Sequence, residues 1–454
     1  MSLMLALWAG LGGGLLPAQE GVTIDFTTDG VAPREDTELF PMPQWQGSVT
    51  AGMDYHMLEN RQDPDDEFLF FGRLDFQLTG ALSDFGQYVL RPRLRITQDG
   101  LVREHAEFLE RDEARPLFTF REAYIEIYQD AFEISVGKQI YTWGVADGFK
   151  PNDVVNPRDH LVIPDDEKIG VPSVSVAYQN EFGTATGVFV PFFTPSRVPQ
   201  FNSRWYPDPE TTIEAFEAVA GFPPVFNFPA RQIPANSSEN FQGGVRLTSS
   251  TLIPGWDLAL QYFRGIDPNG TFVVTGFFPT LDLTQQFASY HMGGGSFSTT
   301  WDRWEFHGEA AYFNTDDQTL DDDFIQYVAG VNYRWPLGGE SLLEEILIIA
   351  EYAGEQTTEE RTLILVLDSG VDRGLTNTGI GRVRFDFTGD IEFEVDGVYN
   401  FNEDDYYLGG TYSQTFYDDW RWEAGVNFFW GPTDSFFGVW RRNDRIFTRL
   451  TYSF

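Results

Sequence analysis

Polar and apolar residues alternate with a period of two along most of this chain, in windows of about ten residues separated by clusters of Gly, Pro, Asn and Asp. The last window, RIFTRLTYSF, is the clearest. Ile446, Thr448, Leu450, Tyr452 and Phe454 share one face, and Arg445, Arg449, Thr451 and Ser453 share the other with Phe447. Eighteen windows are predicted as strands. The first nine lie at 46–58, 68–80, 85–96, 117–128, 131–142, 173–180, 184–193, 239–250 and 256–266. The second nine lie at 286–299, 303–314, 324–335, 344–354, 377–388, 391–402, 405–416, 420–430 and 445–454. The window at 286–299 is weakened by Gly293 to Ser296, and TLILVL (362–367) competes as a strand, so sixteen is the alternative count.

The connections sort by parity. Odd-numbered links are mostly long (97–116, 143–172, 194–238, 267–285, 355–376, 431–444). Even-numbered links are mostly tight, as at Gln129-Asp130, Glu181 to Gly183, Thr388 to Asp390 and Tyr417 to Asp419. Long extracellular loops alternating with short periplasmic turns are the expected signature of a transmembrane β-barrel.

Two faces per strand then acquire a meaning. Tyr88, Leu90, Leu94 and Ile96 oppose Gln87, Arg91, Arg93 and Arg95. Ile391, Phe393, Val395, Tyr399 and Phe401 oppose Glu392, Glu394, Asp396 and Asn400. Trp420, Trp422, Ala424, Val426 and Phe428 oppose Arg421, Glu423 and Asn427. A charge on a lipid face costs roughly 2–4 kcal/mol at mid-membrane, so the charged face is expected to look into the lumen. Trp256, Trp301, Trp335, Trp420 and Trp430 fall near strand ends, where interfacial aromatic girdles belong.

Composition agrees with this picture. The chain has 454 residues, 42% of them hydrophobic and 16% aromatic, but its mean hydropathy is only −0.28. Past the first 20 residues the longest apolar stretch is about that of Gly187 to Phe193, far short of the ~20 residues a membrane helix needs. A membrane protein with these properties must be a closed all-β antiparallel barrel. A soluble β-sandwich array is the plainer alternative. Residues 1–18, apolar and ending in Leu16-Pro17-Ala18, read as a secretory signal peptide, although no Lys or Arg precedes the apolar run. Residues 19–45 would be a periplasmic N-terminal segment and 46–454 the barrel of a Gram-negative cell outer membrane, delivered to its barrel assembly machinery by the final aromatic strand.

Absence of cysteine removes disulfides, thiolate metal sites and thiol nucleophiles. Net charge is −39, and lysine occurs only at Lys138, Lys150 and Lys168. That charge excludes a nucleic-acid partner and fits either loose divalent-cation bridging to lipid or a salt-adapted proteome. The acidic segments 59–67 and 315–323 lack the spacing of a calcium loop, so no metal site or cofactor is expected. Five histidines (His56, His105, His160, His291, His307) carry no nucleophile motif, and no enzyme is expected.

One segment is denser in special residues than the rest: GKQIYTWGVADGFKPNDVVNPRDH, residues 137–160. It resembles the motif of the outer-membrane barrels grouped as domain of unknown function 1302. The resemblance implies a porin-like barrel, often suspected of moving hydrophobic compounds or lipids alongside inner-membrane pumps. Read from its residues, the segment is a compact loop stiffened by Pro151 and Pro157. It occupies the third long connection, the place of an inward constriction loop. Its candidate residues are Lys138, Trp143, Asp147, Lys150, Asn152, Asp153, Asn156, Arg158 and Asp159. The candidate pore-lining residues are Arg73, Arg91, Arg93, Arg95, Glu122, Glu126, Arg382, Arg384, Glu392, Glu394 and Asp396. The Arg ladder would either set a transverse field or pair across strands with Glu122 and Glu126. The long loop 194–238, rich in Pro, Phe and Asn, is expected to pack over or into the barrel mouth. The function expected is a small-solute outer-membrane channel. Alternatives are a hydrophobic-compound or lipid conduit with a periplasmic transport partner, and a plugged surface-binding or structural barrel.

Overall fold

The computed structural model describes residues 42–59, 67–98, 101–199, 203–206, 225–227, 231–276, 280–338, 341–362, 366–367 and 375–454. The expected leader and most of the expected N-terminal segment lie outside them, as do most of segment 59–67 and much of 194–238. Among the described residues, eighteen antiparallel strands form one closed sheet. They are β1 (Gln44–His56), β2 (Phe68–Ala81), β3 (Gly86–Thr97), β4 (Arg115–Gln129), β5 (Phe132–Gln139), β6 (Val171–Asn180), β7 (Gly183–Val190), β8 (Gln242–Ser249) and β9 (Trp256–Ile266). They continue as β10 (Ser289–Trp301), β11 (Trp304–Thr315), β12 (Asp323–Pro336), β13 (Leu343–Glu359), β14 (Asn377–Phe387), β15 (Ile391–Asn400), β16 (Asp405–Phe416), β17 (Trp420–Trp430) and β18 (Arg445–Ser453).

Each strand pairs with its neighbours in sequence, and β18 pairs with β1 from Ser48↔Ser453 to His56↔Arg445. Closure removes every free edge, the condition for a sheet in lipid. Strand count and positions follow the sequence windows to within a few residues. The Gly-rich window is a full wall strand, β10. Of TLILVL, Val366–Leu367 pairs instead with Phe272 and Val273 in a small sheet outside the wall, which removes the sixteen-strand alternative.

The even links are tight because their residues accept left-handed backbone. Asp130 (φ 51) and Asp302 (φ 57) turn two hairpins, while Tyr417 (φ 54) and Asp418 (φ 61) turn a third with two successive positive angles. That geometry matches the twist of antiparallel strands. Trp256, Trp301, Trp335 and Trp420 all cluster at this short-turn end, with Trp430 at the other.

The two faces separate as the charge argument requires. Phe70, Leu94, Ile96, Phe393, Trp422, Phe428, Ile446 and Leu450 are exposed on the outside, whereas Arg93, Asp396, Asn427 and Arg445 are buried. Phe447, the apolar exception of the last strand, is buried inside, with the Arg445 and Arg449 guanidinium groups stacked over its ring at 5.3 and 4.8 Å.

The interior is packed. One apolar cluster gathers Phe149, Ile163, Trp205, Tyr407, Phe429, Phe437 and Trp440. A second gathers Trp143, Val155, Phe263, Tyr290, Met292, Phe313 and Phe324. Both mix wall residues with residues of the connections, so the connections enter the barrel.

Candidate functional site

The connection 140–170 runs from the end of β5 to the start of β6 and crosses the interior, bonding to walls on opposite sides. Its first tie is made by glutamates of the far wall. Glu309 on β11 accepts the backbone N–H groups of Val145 (3.2 Å), Ala146 (3.0 Å) and Asn152 (3.2 Å). Glu351 on β13 accepts those of Asp147 (2.7 Å) and Gly148 (2.8 Å). Five loop donors that have no secondary-structure partner are thereby satisfied, each by a carboxyl oxygen. Gly144 is needed beside them, since a Cβ there would lie 2.7 Å from Lys150 Cβ and 3.1 Å from a Glu309 oxygen.

Asn152 extends the tie. Its Nδ2 donates to the Gly295 carbonyl (2.9 Å) and its own carbonyl accepts from Gln261 Nε2 (2.6 Å). Asn332 Nδ2 donates to Asp147 Oδ2 at 2.9 Å. The Trp143 ring meets Phe263 edge-on at 6.0 Å.

The second tie is ionic and faces the opposite wall. Glu167 receives Arg73 (3.1 Å), Arg93 (2.6 Å) and Arg95 from β2 and β3. Asp159 receives Arg115 through two bonds of 2.9 Å, Arg197 at 3.1 Å and Arg95 at 3.6 Å. Asp165 receives Arg445 (2.9 Å) and Arg449 (2.7 Å) from β18. Within the loop, Asp153 accepts Trp143 N–H (3.1 Å), Lys168 (2.5 Å) and Arg158 (3.3 Å). Asn156 bonds Tyr141 N–H and the carbonyls of Gln139 and Ile169. Lys138 is fully buried against Glu110 and lies 5.5 Å over the Phe108 ring. Lys150 is half-buried and makes no ion pair among the described residues.

The candidate wall residues fall into two groups that no ion pair among the described residues joins. In the first, Arg73, Arg93 and Arg95 converge on the loop, while Arg91 pairs across strands with Glu122. Glu126 takes Gln87 (2.6 Å) rather than an arginine. In the second, Arg382 bonds Glu394 (3.5 Å), Arg384 bonds Asp386 (3.0 Å) and Glu392 accepts Arg421 (3.3 Å); Asp396 stands opposite Arg382 in the pairing of β14 with β15.

Sequence reasoning does not single out Glu167, Asp165, Glu309 or Glu351. The acidic run Asp165-Asp166-Glu167 behind Pro164 is a visible signal, as the loop's complement to the Arg ladder. Glu309 and Glu351 leave none, because a lone carboxylate on a lumen face reads as ordinary wall.

Burial works to raise the Glu167 carboxyl, but the guanidinium groups of Arg93, Arg95, Arg73 and Arg121 outweigh it and hold the group well below its usual range. Asp159 is likewise held down against burial by Arg115 and Arg197, and Asp165 by Arg445 and Arg449. A depressed carboxyl contributes stability that is complete above its unfolded value, near 4, and is lost as pH falls through the lower folded value. The loop is therefore expected to stay seated at pH 4–5. Limited proteolysis of the folded barrel across pH 7 to 2 measures this. A release of the loop centred at pH 5 would contradict it.

A match to the family described as "Protein of unknown function (DUF1302)" covers residues 82–372, from the turn after β2 into the connection after β13, and includes the whole inward loop. Among curated proteins nothing matches. Solved structures similar to this chain include engineered variants of the Rhodopseudomonas blastica porin. A triple mutant and a second mutant of that porin each show 12% identity and a TM-score of 0.40, covering 91% of this chain and 100% of the porin. A third mutant shows 13% identity at the same score and coverage. The barrel assignment rests on the strand pairing itself.

Proposed function

The chain belongs to the family described as "Protein of unknown function (DUF1302)", and from that premise we propose that it is an outer-membrane, porin-like channel for small solutes whose lumen is closed at rest by the 140–170 loop. One observation carries the reading: the loop crosses the interior and is bonded to β11 and β13 on one side and to β2, β3 and β18 on the other. The apolar outer band with aromatic residues at the strand ends supports the membrane setting. The long connections would face the cell exterior. Arg73, Arg91, Arg93, Arg95, Glu122 and Glu126, with the β14–β15 charges, would line the path once the loop moves. Lys150, half-buried on the loop, would meet the solute before the buried Asn152. The reading includes no catalytic step.

A second reading, a conduit for hydrophobic compounds working with a periplasmic partner, is favoured by the two aromatic clusters inside the barrel. Water-filled porin lumens are polar instead.

Planar-bilayer recording of the purified protein separates a gated from an open channel. The expected result is a mostly silent barrel with rare, brief steps. Steady large conductance at rest would refute closure by the loop.

A further inference from the structure

On three adjacent strands, pairing places His307 (β11) beside Gly330 (β12), and Gly330 beside Glu351 (β13). Residues two strands apart stand roughly 9–10 Å from each other, and an intervening side chain would keep these two from meeting. Gly330 has none. A Cβ there would lie 2.4 Å from His307 Nε2 and 2.6 Å from Glu351 Cγ. Through that gap the imidazole and the carboxylate approach to 2.7 Å, and both residues are buried. The loop delivers a third group to the same point: one ligand atom each from Asp147, His307 and Glu351 lie within 4.8 Å of one another.

A fourth group stands beside them. Asn332, two residues along β12 from Gly330 and 8% exposed, holds Asp147 Oδ2 with its amide nitrogen, while its own Oδ1 is buried with no hydrogen-bond partner. A buried amide oxygen without a donor is costly. A half-turn of the amide would present that oxygen, a cation ligand, to the carboxylate's side of the site. His307 Nε2 faces the Glu351 carboxylate and holds its proton toward it, whereas Nδ1 is buried with no partner; an ion between the two groups would shift that proton to Nδ1 and leave Nε2 as a ligand.

We propose that Asp147, His307 and Glu351, with Asn332 as a fourth donor, bind one divalent transition-metal ion of the zinc class between the loop and the wall. An imidazole among oxygen ligands suits zinc and its neighbours, and disfavours calcium or magnesium, which take oxygen alone. Bonds of about 2.0–2.2 Å at tetrahedral angles put ligand atoms roughly 3.3–3.6 Å apart. The His307–Glu351 contact would open slightly and the wider separations would close. Glu351 keeps its bonds to Asp147 and Gly148 N–H, so the ion fastens the loop to three adjacent wall strands at once. The site is independent of whether, or what, the barrel conducts.

The test uses the full-length protein, folded in detergent and stripped with a chelator. Zinc sulfate is titrated by calorimetry, and cobalt chloride is titrated as an optical probe. The expected result is one zinc per chain, a four-coordinate cobalt spectrum, and at least tenfold weaker binding in both Asp147→Asn and His307→Gln. His105→Gln, which alters the half-buried His105–Glu107–Asp112 group, should change nothing. Heat-modifiable migration on gels confirms that each variant is folded, and the loop variant Asp147→Asn keeps the test valid if His307→Gln does not fold. Absence of one-to-one binding, unchanged affinity in folded Asp147→Asn, or loss of binding in His105→Gln would each overturn the proposal. None of these readouts depends on conductance.

Discussion

Removing residues 145–158 should convert a mostly silent barrel into one with conductance several-fold higher, and the wall should still fold. The deletion takes out every backbone N–H that Glu309 and Glu351 hold, together with Asn152 and Phe149. Those two glutamates would then face water in the lumen, so they would not be left as unpaired buried charges, which typically cost about 3–5 kcal/mol. The shortened connection still closes easily, because Gln139 and Val171 are direct partners at the ends of β5 and β6. Single-channel recording gives the answer, with heat-modifiable migration as the folding control. Unchanged conductance, together with cleavage of the native loop by protease added outside cells, would end the closure reading.

Deleting Phe454 alone should lower the yield of folded outer-membrane protein roughly tenfold or more. Phe454 closes the seam: its N–H donates to the Gly47 carbonyl and its carbonyl accepts from Gly47 N–H, both at 2.9 Å. The ring lies over Gly47, where a Cβ would come within 2.6 Å of it. It also sits 6.1 Å from Trp45 and 6.0 Å from Tyr452. The deletion loses two ladder bonds, each worth about 1 kcal/mol net, and the aromatic packing. It also removes the terminal aromatic expected to be read during assembly. Quantitative gels of outer-membrane fractions decide it; a normal yield of heat-modifiable protein would count against that role.

The wall was legible in the sequence because a barrel strand writes its environment twice, once per face. Leu90, Leu94 and Ile96 could not share a face with Arg91, Arg93 and Arg95 without placing charge in lipid, so alternation fixed the register. Turn chemistry at Gln129-Asp130 and Tyr417 to Asp419 then fixed the ends. The inward loop was legible in outline, since its prolines, glycines and Asx residues mark a rigid excursion.

Its partners were not legible. Local spacing offers Arg93 and Arg95 the carboxylates Glu122 and Glu126, neighbours on the next strand, yet they bond Glu167, which is 72 residues from Arg95. A loop that folds back obeys no periodicity, so nothing in local spacing names the carboxylate it brings. The His307–Gly330–Glu351 alignment is hidden for the same reason: it exists only once three strands are in register.

The cluster around Arg445 carries a consequence for the order of assembly. Arg445 bonds Asp54 of β1 at 2.7 Å and Asp165 of the inward loop at 2.9 Å, and it belongs to the last strand made. The pairing of β1 with β18 spans nearly the whole chain and is among the slowest kinds of contact to form. The loop can meet Glu309 and Glu351 as soon as β11 and β13 exist, but its Asp165 anchor arrives only when the ends of the chain join. The final anchor of the loop and the closure of the ring therefore share the Arg445 contacts, and an intermediate stalled before closure would carry its loop half-moored.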